Sequence, residues 1–274
     1  MHDPMVTVVL PTFNNREDIG AAIDSLLAQT FEDWELIVVD DASTDGTGGL
    51  VAERYDDPRI SLHTMAINAG AGACRNLALS KARGELVAVL DADDEYLPTK
   101  LEKQVEVFAD DASVSAVGCQ VFEFGQWGGP ELGRWPTQAE DIHRRQVDRK
   151  VPIHHSTAVF KRTELEEVGG WDAACRRAED FALFLRLGER KMVCLEEALY
   201  MYRTRRPLPL SYVITDQLSH DLALRRHELW LDGLDDSAMP TDTKLSTRTV
   251  IQATKNWIVR TGQEYLSAVL RRRP

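Results

Sequence analysis

Acids grouped after apolar runs are the residues of this 274-residue chain best suited to chemistry on an anionic substrate. The first group, Asp91-Ala92-Asp93-Asp94, follows the run Leu86 to Leu90. Hard divalent cations prefer carboxylate oxygens, and a diphosphate prefers such a cation. Several carboxylates converging on solvent resist full ionisation unless a positive charge joins them, and Mg²⁺ or Mn²⁺ would supply it. Taken alone, the tetrapeptide also fits a solvated acidic turn, because Asp is common after strands.

A second pair, Asp40-Asp41, ends the run Glu35 to Val39, and a third, Glu179-Asp180, opens an amphipathic segment after Gly169-Gly170-Trp171-Asp172. To position these acids, the first hundred residues alternate β-branched runs with helical patterns, the habit of a sheet with crossover helices. Strands are predicted at Val6 to Leu10, Glu35 to Val39, Ile60 to Thr64 and Leu86 to Leu90. Helices are predicted at Ile19 to Gln29, Thr47 to Tyr55 and Ala71 to Lys81. Ligands of open α/β sheets sit beyond the carboxyl ends of the strands, so the two Asp clusters should face one cleft.

Farther on, the patterns predict a helix near Thr99 to Phe108, strands near Ser115 to Phe122 and at Ser156 to Phe160, and a helix at Glu179 to Leu187. The glycine-rich run Gly125 to Pro136, with Trp127 and Trp135, reads as a long surface loop, either a connector or a substrate lid. Helical periodicity dominates Asp216 to Leu231 and Leu245 to Leu270, the latter with a stripe through Val250, Thr254, Trp257, Ile258, Thr261 and Tyr265.

Composition narrows the class. Acids outnumber bases 44 to 32, for a formal charge of −12, and such a surface repels phosphate backbones, so no nucleic-acid partner is expected. Residues 244–274 reverse the sign and end in Arg271-Arg272-Arg273; they are expected to stay solvated or to touch an anionic membrane or acidic partner. Four scattered cysteines, with no secretory segment before Val6, predict reduced thiols and a cytoplasmic location, peripheral at the inner membrane face if the basic end binds there. No apolar run approaches the roughly 18 residues of a membrane span.

In order along the chain stand Val8-Val9-Leu10-Pro11-Thr12-Phe13-Asn14, Ser25-Leu26-Leu27-Ala28-Gln29-Thr30-Phe31, Val38-Val39-Asp40-Asp41-Ala42-Ser43-Thr44-Asp45-Gly46-Thr47, Asn68-Ala69-Gly70 and Ala73-Cys74-Arg75-Asn76. Leu90-Asp91-Ala92-Asp93-Asp94 and Gly169-Gly170-Trp171-Asp172 before Glu179-Asp180 complete the series. On these segments, from Val6 to about Arg203, the chain resembles the inverting glycosyltransferases of family 2. The resemblance implies an α/β GT-A fold, Rossmann-like, with a mainly parallel sheet flanked by helices. The catalytic domain would span 1–210, with a donor-binding part to about 98 and an acceptor-binding part from 99, and a helical C-terminal extension would fill 211–274. The implied reaction moves a hexosyl or N-acetylhexosaminyl group from a nucleotide-sugar, a UDP-sugar first, with Mn²⁺ or Mg²⁺ as cofactor. Glycans, lipid-linked sugars, peptides and small molecules all stay open as acceptors.

The same resemblance implies roles for single residues. Phe13 would stack on the base, with Pro11 and Thr12 lining its pocket, and Asp41 would accept a hydrogen bond from it, as suits the N3 hydrogen of uracil. Arg75 would lie near the base or diphosphate, and Asp91 would contact the ribose. Asp93, with Asp91, would bind the metal, and Asp94 would be a further ligand or a contact to the sugar. Asp180 would be the general base and Glu179 its supporting neighbour. Arg203 is a candidate for the diphosphate, Trp171 for an acceptor wall and His155 for the acceptor pocket; a solvated turn or core packing is the rival reading for these three.

Three other classes bear comparison. A catalytically silent module that binds nucleotide-sugars or scaffolds an assembly is compatible with such a fold. A sugar-phosphate nucleotidyltransferase should open with a glycine- and arginine-rich phosphate loop, and a dinucleotide-dependent oxidoreductase with a glycine fingerprint; Pro11-Thr12-Phe13-Asn14 is neither.

Overall fold

The computed structural model describes residues 2–234, 239–241 and 251–259. Its first half runs β1 (Val6–Thr12), α1 (Ile19–Leu27), β2 (Trp34–Asp40), α2 (Thr47–Arg54), β3 (Ile60–Thr64), α3 (Ala71–Leu79), β4 (Leu86–Val89), β5 (Glu95–Tyr96) and α4 (Lys100–Asp110). The second half runs β6 (Ala116–Gly125), β7 (Gly128–Gly133), α5 (Ala139–Val147), a 3₁₀ turn at His155–Thr157, β8 (Val159–Lys161), α6 (Arg162–Glu167), α7 (Glu179–Leu187), β9 (Met192–Arg203) and α8 (Leu210–Leu231).

β1 sits mid-sheet because it is apolar on both faces. Val8 and Leu10 join the core formed with Ile19, Ile23 and Leu26 of α1, whereas Val9 joins Cys74 and Ala78 of α3 on the opposite face. Among the described residues the sheet has nine strands in the order β3-β2-β1-β4-β8-β6-β9-β5, with β7 paired to β6. β1, β2, β3 and β4 are mutually parallel, and the rest of the sheet is mixed. In this register Thr12 lies opposite Asp40, so the carboxyl ends of β1, β2 and β4 open on one side. The short β5, directly after the acidic tetrapeptide, pairs with β9 and brings Arg203 against that tetrapeptide.

Two local expectations differ from the structure. Residues 125–136 are no long loop: Gly128–Gly133 is a strand paired antiparallel with β6. Its glycines and polar residues give no period-two signal, and backbone pairing makes the strand. At the turn the Trp127 indole N–H donates to the Thr204 carbonyl at 3.1 Å, and the Arg206 guanidinium lies 4.1 Å over its ring. The strand expected at Ser156 to Phe160 begins only at Val159, because the Thr157 N–H and hydroxyl both donate to the His154 carbonyl and close a turn.

α8 packs on α7 through Phe181, Leu185, Leu222 and Ala223. A buried ion cluster reinforces this contact. One Asp172 oxygen accepts from Arg186 at 2.9 Å and from Arg226 of α8 at 2.6 Å, with all three side chains at most 3% exposed. Of the pattern over Leu245 to Leu270, residues 251–259 are helical, with the Trp257 indole donating to the Leu208 carbonyl at 2.9 Å; the other residues of that pattern and Arg271 to Arg273 lie outside the described residues. No described helix is long and apolar enough to cross a membrane, and the four cysteines are buried and unpaired.

Truncating Arg226 leaves Asp172 paired with Arg186 but removes a buried charge-assisted hydrogen bond that ties α8 down, a loss of about 1.5 to 3 kcal/mol. Arg226→Ala should lower the urea-unfolding free energy by about that amount. A loss under about 1 kcal/mol would show that α8 is held by its apolar contacts instead.

Candidate active site

A cleft of about 280 Å³ opens where β1, β2 and β4 end, lined by Pro11, Thr12, Phe13, Asp41, Arg75, Asp91 and Asp93 together with Asn15, Ala71, Cys74 and Ala92. Thus one cavity gathers all seven residues singled out for the donor. The loops after β1 and β2 interlock: the Asn14 N–H donates to Ser43 Oγ at 2.9 Å, and the Thr44 N–H to Asn14 Oδ1 at 2.8 Å. Asn14 and Ala42 adopt left-handed backbone (φ 52° and 61°), strain of the kind that persists where surrounding structure enforces it. The interlock leaves Phe13 45% exposed at the mouth of the cleft, an aromatic face open for stacking.

Asp41 is buried, and its two oxygens accept from the Ala69 and Gly70 N–H groups at 2.7 and 2.8 Å. Two further lining atoms are buried without any partner, Thr12 Oγ1 and Arg75 Nε. Buried polar atoms are nearly always satisfied, so an orphaned pair in one cleft points to a polar ligand or ordered water.

The Arg75 guanidinium, 4% exposed, donates to Asp91 at 2.6 Å and to Glu179 at 2.9 Å. Burial opposes a charge on Asp91, yet Arg75, with the Ser156 hydroxyl at 2.7 Å, holds its carboxyl below the usual range. Both Asp91 oxygens, considered for a metal alongside Asp93, are therefore already hydrogen-bonded. Burial, reinforced by the Asp91 charge, pushes the Asp93 carboxyl up to about 6. Among the described residues no group of three His, Cys, Asp or Glu is arranged to hold a metal ion. One carboxylate suffices when phosphate oxygens and water complete the shell, and a cation would relieve the repulsion on Asp93. The donor set fits Mn²⁺ or Mg²⁺ shared with a diphosphate.

Asp94 lies deeper, 1% exposed, accepting from the Tyr200 hydroxyl at 3.0 Å and the Arg203 N–H at 2.7 Å. Burial, then Asp91 and Asp93, push it well above the usual carboxylate range. It anchors β9, which separates it from the metal or sugar contact expected of it. Arg203 donates to the Asp93 carbonyl at 3.1 Å and pairs with Asp18 at 3.0 Å, so it braces the acidic loop from the rim.

Opposite the cleft, α7 starts with Glu179 and Asp180, acids suited to a helix N-terminus. Asp180 Oδ1 accepts from the Phe181 N–H at 2.7 Å. Burial nonetheless raises the Asp180 carboxyl, against this bond and the positive charge of Arg75. A raised carboxyl is a better proton acceptor when ionised.

Trp171 does not form an acceptor wall: it is 1% exposed, and its indole N–H donates to His155 Nε2 at 2.8 Å. Both rings belong to the core, with burial driving the His155 imidazole to its neutral form. The neighbour His154 is the one left with an unpartnered nitrogen, its buried ring edge-on to Trp135 and Tyr202 at 5.1 and 4.5 Å. His155 was the candidate on sequence, and only the 3₁₀ turn distinguishes it from its neighbour His154. Ser156, which fixes Asp91, had no signal of its own.

A parallel sheet with this cleft at its strand ends, facing a carboxylate-bearing helix, defines a GT-A α/β fold. The chain belongs to glycosyl transferase family 2, whose family model matches residues 7–169. It is 32% identical over 207 residues to the putative glycosyltransferase EpsE of Bacillus subtilis, covering 73% of each chain. It is 44% identical over 105 residues to the putative teichuronic acid biosynthesis glycosyltransferase TuaG of the same organism, over 38% of this chain and only 41% of TuaG. Staphylococcus aureus TarS 1-349 in complex with UDP-GlcNAc superposes with a TM-score of 0.63 at 19% identity, covering 93% of this chain and 72% of TarS 1-349. The Pyrobaculum calidifontis mannosyltransferase PcManGT, in complex with GDP-Man and Mn²⁺, gives 0.62 at 23% identity, covering 100% and 77%.

Because the folded state raises the Asp93 carboxyl above its unfolded value, ionised Asp93 costs stability above pH about 6, and that cost fades as pH falls toward 4. Asp93→Asn should therefore stabilise the metal-free protein at pH 7.5 by roughly 1 kcal/mol. The gain should vanish near pH 4. Thermal melts at the two pH values check this, and an unstabilised variant at pH 7.5 would contradict it.

Proposed function

We propose that the protein transfers a sugar from a nucleotide-sugar, a UDP-sugar first, to an acceptor hydroxyl with inversion at the anomeric carbon. The observation that carries this reading is the single cleft holding exposed Phe13, buried Asp41, the orphaned Thr12 Oγ1 and Arg75 Nε, and the raised Asp93. Phe13 stacks on the base, Asp41 accepts from it, and Asp91 contacts the ribose. TarS bound to UDP-GlcNAc and PcManGT bound to GDP-Man lend the reading support as nucleotide-sugar complexes on the same fold.

Asp93 would hold Mn²⁺ or Mg²⁺, whose chemistry when bound is to neutralise charge on the departing diphosphate. Asp180 takes the proton of the acceptor hydroxyl as its oxygen attacks the anomeric carbon from the face opposite the diphosphate. One displacement inverts that centre. Asp93 in the cleft and Asp180 at the start of α7, next to the Glu179 that pairs with the cleft's Arg75, are both raised by burial, which favours this reading over a silent binding module.

Calorimetry with UDP, GDP and dTDP, with and without Mn²⁺, tests the donor. UDP binding should require the metal and be lost in Asp93→Ala, and no nucleotide binding at all would shift the reading to a scaffold. Asp180→Asn should keep UDP affinity while turnover falls roughly 10² to 10⁴-fold. Undiminished turnover would remove Asp180 as the base.

A further inference from the structure

Segment 173–178 leads into α7 and lies across the start of α3. A Cβ on Gly72 would stand 3.4 Å from the Ala173 Cα, and one on Gly70 would stand 3.5 Å from Arg176 Nε. Within the segment Cys175 and Ala178 are buried, while Arg176 is exposed and donates to the Asn68 carbonyl, 108 residues earlier, at 2.7 Å. The same guanidinium nitrogen stands 3.4 Å from Asn68 Oδ1, and among the described residues Arg176 has no other hydrogen-bond or ion-pair partner. In a chain with 44 acids, this arginine ends on a neutral carbonyl.

That carbonyl is one end of a peptide unit whose other end acts on the cleft. The Ala69 N–H belongs to the same planar unit and donates to one Asp41 oxygen at 2.7 Å, while the Gly70 N–H donates to the other at 2.8 Å. A trans peptide points its C=O and N–H in opposite directions, so a donor fixed on the oxygen aims the N–H. A cation on that oxygen also polarises the unit and strengthens the bond at its far end.

We propose that Arg176 is a positioning residue for the nucleotide-base seat: held on the oxygen of the Asn68–Ala69 peptide, it aims the N–H of that peptide at Asp41 and sets donor affinity from outside residues 7–169, the span matched by the family model. The inference rests on Asp41 contacting the base. The start of α7 does not depend on this bond, because the Asn76 side chain holds the Trp171 backbone and Arg75 holds Glu179. Its loss therefore reaches donor binding and leaves the chemical step alone.

The test compares wild type, Arg176→Ala and Arg176→Lys in the full chain. It reads amide hydrogen exchange at Ala69 without nucleotide, calorimetric affinity for UDP with Mn²⁺, and UDP release from UDP-glucose or UDP-N-acetylglucosamine. Arg176→Ala should speed exchange at Ala69 and weaken UDP binding, each about fivefold, the size of one hydrogen bond. KM should rise by the same factor with kcat unchanged, and Arg176→Lys, which keeps a cationic donor, should restore most of the loss. Arg176→Gln serves if the alanine variant misfolds. Unchanged exchange at Ala69, faster exchange throughout the chain or a fall in kcat alone would overturn the inference. Asp41→Asn separates the two readings: if it keeps UDP affinity, the base role of Asp41 fails as well; if it loses UDP affinity while Arg176→Ala binds as wild type, only the present inference fails.

Discussion

A buried guanidinium between two carboxylates, Arg75 between Asp91 and Glu179, is the contact on which the remaining geometry depends. A planar cation satisfies two acids at once, and in a buried setting neither acid tolerates losing it. Arg75 belongs to α3, and that one helix fixes the rest. The N–H groups leading into it hold Asp41, while the Asn76 side chain exchanges two hydrogen bonds with the Trp171 backbone, 2.7 and 2.8 Å long. Buried Asp41, the acidic loop and the start of α7 are therefore positioned from a single element. Gly72 permits this closeness, since a Cβ there would stand 3.3 Å from the Glu179 side chain.

The cost of the arrangement is negative charge in surplus. Asp91 and Glu179 share Arg75, Asp93 and Asp94 have Arg203 beside them, and burial, reinforced by the neighbouring acids, raises Asp93, Asp94 and Glu179. Such a site strains the empty protein and favours whatever cation or cationic edge arrives. Burial of β1, β2 and β4 on both faces supplies the stability that offsets it.

Much of the first half of the chain was legible in the sequence for a physical reason. Strands buried on both faces read as unbroken β-branched runs, and acids after such runs must fall on the ligand edge of a parallel sheet. Depth was not legible. Asp93 and Asp94 are adjacent and identical in type, yet one faces the cleft and the other lies beneath it, because only the β5–β9 pairing buries the second. Trp171 looked like a wall and is core, since its partner His155 arrives through a turn that no periodicity announces. The docking of α8 depends on Asp172 meeting Arg226 across 54 residues, a contact that composition and pattern do not encode.

The claim that Arg75 couples the cleft to α7 is tested most directly by a double-mutant cycle. Calorimetric affinity for UDP with Mn²⁺ would be measured for wild type, Asp91→Asn, Glu179→Gln and the double variant. Coupling through a shared guanidinium predicts non-additivity of about 1 kcal/mol or more. Additive effects within about 0.3 kcal/mol would mean that the two carboxylates act independently, and would contradict the account.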